Sequence, residues 1–150
     1  MNYYTQQTIA VWIILMGIIL YCISADSEGA SHTHEIEVSC CSYHFDREAN
    51  YNEFNYGVFY RRWFNSNQSV HVGAYRNSYN DTSVVVGAGY EWALGRDFSF
   101  TLQYGVVTGY ERSPVLPYVL PTFSYKGIVH LHTFPIDDGG FALSFTILRY

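Results

Sequence analysis

Charge is scarce in this chain. Charged residues make up 14% of its 150 positions, and lysine occurs once, at Lys126. A soluble domain ordinarily carries about 25% charged residues, so an ordinary water-facing surface is short of ionic groups here. The formal net charge is −5 and the Arg residues are scattered. Without a basic stripe there is nothing to hold a phosphate backbone, which excludes nucleic acid as a partner. Cysteine is sparse too: Cys22 lies in an apolar run, and Cys40 and Cys41 are neighbours. Neighbours on a regular strand point to opposite faces and hardly bridge each other. Neither a disulfide framework nor a zinc spacing is present. Helical periodicity is missing after Ala30.

What the chain has instead is aromatic and apolar bulk, 19% and 49% of residues, with 15 Tyr. Tyr and Trp favour surfaces that are greasy at one end and wet at the other, as at a membrane interface. The long apolar run covers residues 9–23 (IAVWIILMGIILYCI). It is short for a spanning helix and fits the core of a signal peptide. The segment before it, MNYYTQQT, carries no Lys or Arg, and the cleavage site is poorly defined. Residues 1–25 therefore read as an export signal or a retained membrane anchor, 26–34 as a polar linker and 35–150 as the folded body. Either reading places the body outside the cytoplasm.

Within the body, period-two alternation recurs. Phe98, Phe100, Leu102, Tyr104 and Val106 share one face, while Ser99, Thr101, Gln103, Gly105 and Val107 share the other. Near the end of the chain Phe141, Leu143, Phe145 and Ile147 oppose Ala142, Ser144 and Thr146. Turn signals divide the body into strands expected at 35–45, 56–64, 70–77, 83–92, 98–110, 118–126, 128–135 and 141–150. The expected fold is all-β, an eight-stranded antiparallel up-and-down β-barrel. An even count brings both ends of the barrel chain to one rim, with the connections 46–55, 79–82, 111–117 and 136–140 at the other. Two barrels fit this alternation. A transmembrane barrel turns its apolar face outward, and a lipocalin-like soluble barrel turns it inward. The low charge favours the first.

Several segments, in order, resemble the outer-membrane lipid A palmitoyltransferase family (PagP-like). They are Tyr51-Asn52-Glu53, then Ala74-Tyr75-Arg76-Asn77-Ser78-Tyr79-Asn80, then Val86-Gly87-Ala88-Gly89-Tyr90-Glu91, then Pro117-Tyr118-Val119-Leu120-Pro121, and last Phe134-Pro135. The resemblance runs from about His44 to Tyr150. Four departures stand beside it. Asn77 replaces the family's acid, residues 44–51 form a shorter stretch, and Asn55 replaces a proline. In addition, residues 26–35 hold no counterpart of the family's amphipathic helix.

The resemblance implies a reaction that moves an acyl chain from a phospholipid to lipopolysaccharide (lipid A), with no cofactor, carried out by a monomer in the bacterial outer membrane. It implies a catalytic set of His44, Asn77 and Ser78, an acyl-chain pocket at Gly87 and Gly89, and lateral lipid access at Pro117, Pro121 and Pro135. The residue types suit those roles: His accepts a proton near neutral pH, and Ser or Asn donates hydrogen bonds to an oxyanion. Each has a plainer reading as well. Asn77-Ser78 is ordinary turn chemistry, His44 fits a rim at headgroup level, the glycines fit packing or a bulge, and the prolines fit strand ends. A non-enzymatic lipid-binding barrel is the alternative function. His130 and His132 share a strand face at a spacing that metal ligands use, but no third ligand accompanies them, so no metal site is expected.

Overall fold

The computed structural model describes residues 33–110, 113–134 and 139–150. The apolar segment with Cys22, most of the polar linker, and Pro135 lie outside the described residues. Eight strands follow in order: β1 (Thr33–His44), β2 (Gly57–Trp63), β3 (Gln68–Arg76), β4 (Thr82–Ala93), β5 (Phe98–Tyr110), β6 (Ser113–Tyr125), β7 (Val129–Phe134) and β8 (Gly140–Arg149). Each pairs antiparallel with the next, and β8 pairs back on β1, so the sheet closes into the expected barrel. Closure satisfies the backbone groups that an open sheet leaves at its edges.

Seven of the eight strands lie within two residues of where alternation puts them at both ends, and β5 matches at both. β1 carries an extra residue, described below. The exception is β6. β6 begins at Ser113 rather than near 118. Proline near a Gly-rich boundary reads as a turn, yet both Pro117 and Pro121 sit inside the strand, opposite Val106 and Leu102 of β5. The Thr133 hydroxyl of β7 donates to the Pro121 carbonyl at 3.2 Å, so Pro121 turns its backbone groups toward β7. Alternate residues of a strand point the same way, and Pro117 does likewise. The N–H groups missing at Pro117 and Pro121 thus fall on the β7 side, and both residues keep their pairing with β5.

The barrel is inside-out relative to a water-soluble one. On β5, Thr101 (0% exposed) and Gln103 (4%) face the lumen, while Phe98 (58%) and Tyr104 (44%) face outward. Outward aromatics gather in two belts. Tyr43, Phe54 and Tyr56 ring the rim that carries the connections after β1 and β3, here called the upper rim. Trp92, Phe98 and Tyr125 ring the lower rim.

The lumen itself has two halves. Its lower half is polar and buried, centred on Glu37, whose carboxylate accepts from Arg61 at 3.2 Å, from His132 at 3.1 Å and from Ser144. Arg149 pairs with Glu35 at 2.7 Å beside it. Two residues up the same face from Arg61 stands Phe59, and the upper half continues with Tyr75, Val85, Val107, Leu116 and Phe134. Most of these are half-buried rather than sealed. A hydrogen bond between His71 of β3 and Tyr118 of β6 crosses the lumen at the boundary.

Candidate functional site

The upper rim gathers the candidate residues. His44 ends β1, and the chain then turns where the Asp46 carboxylate accepts from the Glu48 amide at 2.9 Å. Ser78 lies in the five-residue turn between β3 and β4. The two meet: His44 Nε2 stands 2.8 Å from Ser78 Oγ across 34 residues of sequence. The ring is 9% exposed and lies between Tyr51 (centroids 4.5 Å apart) and Phe134 (5.3 Å). A second hydroxyl, Ser42 Oγ, is 3.3 Å from the same nitrogen and also bonds Asn55.

A local irregularity makes this meeting possible. Glu37 and His44 are seven residues apart, so strict alternation puts them on opposite faces. Between Ser39 and Cys41 the register against β8 shifts by one residue, leaving Cys40 as an insertion on β1. This β-bulge reverses the phase of the strand. Ser42 and His44 then face the lumen along with Glu37.

Asn77 does not join His44. It is fully buried, and its amide nitrogen donates to Ser83 Oγ at 3.1 Å and to the Gly109 carbonyl at 2.6 Å. Its carbonyl oxygen accepts from the amides of Tyr79 and Asp81, both at 2.9 Å. With Asn80 at φ 62° completing the turn, Asn77 builds the loop that presents Ser78. The turn needs an amide there, because a carboxylate cannot donate to Ser83 and Gly109 and would face a carbonyl oxygen. The role expected for Asn77 beside the imidazole is therefore replaced by a scaffolding one.

The space expected at Gly87 and Gly89 is also taken. A Cβ on Gly87 would strike the Tyr118 hydroxyl and the Tyr104 carbonyl. One on Gly89 would meet Ser69 Oγ at 3.1 Å and Thr101 Cγ2 at 3.2 Å. These glycines admit the His71–Tyr118 crossing and the packed lower half. Apolar side chains face the lumen above them. His130 and His132 point into the lower half, where Ser124 and Thr146 hold His130 at 2.8 Å each and Thr122 holds His132 at 2.9 Å.

Pro117 and Pro121 lie along the seam between β6 and β7. Among the described residues, β6 pairs with β7 only from Thr122 to Tyr125. Above it the Thr133 hydroxyl reaches the Pro121 carbonyl at 3.2 Å, and no further β6–β7 pair lies among the described residues. The seam lies beside the upper half of the lumen.

Several rim residues escaped the sequence reading. Arg47 and Glu53 form an ion pair on the long connection after β1. The hydrogen bond from Arg47 holds the Glu53 carboxyl below the usual carboxylate range, and Glu53 in turn raises Arg47. Glu53 also accepts from the His44 amide at 3.5 Å. His44, Asp46, Arg47, Asn50, Tyr51 and Glu53 together line a polar depression at this mouth. The spacing Ser42-x-His44 was the available signal for Ser42, since alternate residues share a face. Nothing in the sequence marks Asn55 as the hub that bonds Ser39, Ser42 and the Arg76 carbonyl.

Compared with known proteins, the chain matches no protein-family model and no curated relative.

Proposed function

We infer that the chain is an outer-membrane barrel that takes an acyl chain from a phospholipid and transfers it to lipid A. The observation that carries this reading is the contact of His44 Nε2 with Ser78 Oγ at 2.8 Å, at the rim above the apolar half of the lumen. The membrane part of the reading is supported by the outward Phe98, Tyr104 and Val119, with aromatic belts above and below. In water such a surface would be buried rather than displayed.

In this reading a phospholipid tail enters through the seam between β6 and β7 and lies against Phe59, Leu116 and Phe134. The His71–Tyr118 crossing sets the floor of that space. His44 Nε2 takes the proton of the acceptor hydroxyl, whose oxygen attacks the ester carbonyl. Ser78 donates to the oxyanion that forms. The intermediate collapses by breaking the original ester bond, and the leaving lysophospholipid oxygen takes the proton from His44. One ester is broken and one is made, so no cofactor is required.

A second reading, lipid binding without transfer, is favoured by one observation: the Asn77 amide is wholly engaged in the turn, so the residue matching the family's acid does not orient His44. Mass spectrometry of lipid A from Gram-negative cells expressing the full chain separates the two. Transfer adds one acyl group to lipid A, and an unchanged pattern with a barrel that migrates faster unheated than heated on a detergent gel leaves only the binding reading. If heating does not alter migration, the membrane barrel itself is refuted.

A further inference from the structure

The β-bulge in β1 has a second property, unrelated to acyl transfer. Ser39 Oγ donates to the Asn55 carbonyl at 2.6 Å, and Ser42 Oγ bonds the Asn55 side chain. Both serines therefore face the lumen, although only Cys40 and Cys41 separate them. Two residues between two inward ones must both point outward, and this is where the extra residue sits. The register opposes Cys41 to Leu143, and Cys40 Sγ approaches the carbonyl of the same residue at 3.8 Å. The two thiols stand side by side with their sulfurs 2.8 Å apart, both partly exposed. Just above them Tyr43 stacks on Phe141, ring centroids 5.4 Å apart, in the upper aromatic belt.

We propose that Cys40 and Cys41 are an oxidisable dithiol site, closed to a disulfide by exchange with a disulfide-carrying oxidant. The Cys40 thiolate attacks the oxidant's disulfide, forming a mixed disulfide and releasing one thiolate. The Cys41 thiolate then attacks the Cys40 sulfur, closing the bond and releasing the second thiolate. Two electrons pass to the oxidant and two protons are lost from the cysteines. On a regular strand this closure is barred, because the two side chains diverge. Consecutive Cα atoms, about 3.8 Å apart, also fall short of the usual disulfide span of about 4.4–6.8 Å. The bulge removes the first obstacle. The second leaves the bond easily reduced, which makes it a responsive site rather than a permanent staple. The proposal stands whether or not the chain transfers acyl groups.

The test uses the full chain folded in detergent micelles, reduced with dithiothreitol or treated with oxidised glutathione, then alkylated with N-ethylmaleimide and digested. The expected result is two maleimide adducts on the Cys40–Cys41 peptide after reduction. After oxidation that peptide is expected to carry none and to be lighter by two hydrogen atoms. Persisting glutathione on either residue, unchanged alkylation, or linkage to Cys22 or a second chain would overturn the proposal. In the Cys41→Ser variant the mixed disulfide cannot be resolved, so Cys40 is expected to keep a glutathione adduct. An unmodified Cys40 there overturns it equally.

Discussion

The two halves of the lumen are made by the same eight strands and differ in almost every physical respect. Below the His71–Tyr118 crossing, side chains are charged or hydroxylic, buried and bonded to one another around Glu37, Arg61 and His132. Above it, the half-buried apolar side chains Phe59, Leu116 and Phe134 face the lumen, next to the seam where the described residues pair β6 with β7 only from Thr122 to Tyr125. The difference teaches where each half gets its order. A buried ionic cluster is held by mutual neutralisation and loses much when one partner is removed. An apolar space open to one side is held by the strands around it, and tolerates change more readily. The bonded polar cluster sits low in the barrel, and the His44–Ser78 contact sits high.

The largest expected effect that would sharpen this contrast is at the upper rim. His44→Ala should lower acyl transfer by about 10²- to 10⁴-fold, the usual contribution of a general base, with the denaturation midpoint hardly moved. Equal losses of activity and stability would erase the distinction. Glu37→Ala should do the opposite. Removing the acid leaves Arg61 buried without its 3.2 Å partner, at a cost of about 3–5 kcal/mol, read from guanidinium unfolding of the micelle-bound barrel. Acyl transfer by the fraction still folded should persist.

Asn77→Asp separates scaffold from catalyst on the rim itself. Restoring an acid there should not raise activity. It should instead cost about 1–3 kcal/mol through lost donors to Ser83 and Gly109; a gain in transfer would show that the turn rearranges to serve His44. Smallest is Glu53→Gln, on the solvent-exposed pair with Arg47. The Glu53 carboxyl is held below its ordinary value of 4.5. Its contribution is therefore complete at pH above that value and fades as pH falls through the depressed one. The difference between wild type and Glu53→Gln in thermal unfolding should shrink in acid and in high salt.

Strand positions were legible because a side-chain period of two is local, and Phe98–Tyr110 carries it without interruption. β6 was misjudged at its start because proline reads as a breaker unless the side of the strand its nitrogen faces is known. His44 and Ser78 were legible through a resemblance, and their contact is present. Asn77 was not, since an Asn in a turn looks the same whether its amide faces a neighbouring histidine or its own backbone. The space at Gly87 was not legible for a related reason: the glycine reports that space is needed, and only the fold reveals that Tyr118 occupies it.

By itself the sequence determined the eight alternating segments, the shortage of charge and the order of the connections, because these depend on neighbours along the chain. It left open which face of the alternation is outside, as both closures satisfy the same pattern. The tertiary structure decided that, by bringing Glu37, Arg61 and His132 from three strands to one point that only the interior can hold. It also decided that His44 faces inward. An extra residue in β1 has meaning only against the register of β8, and register is a relation between strands that no single strand encodes.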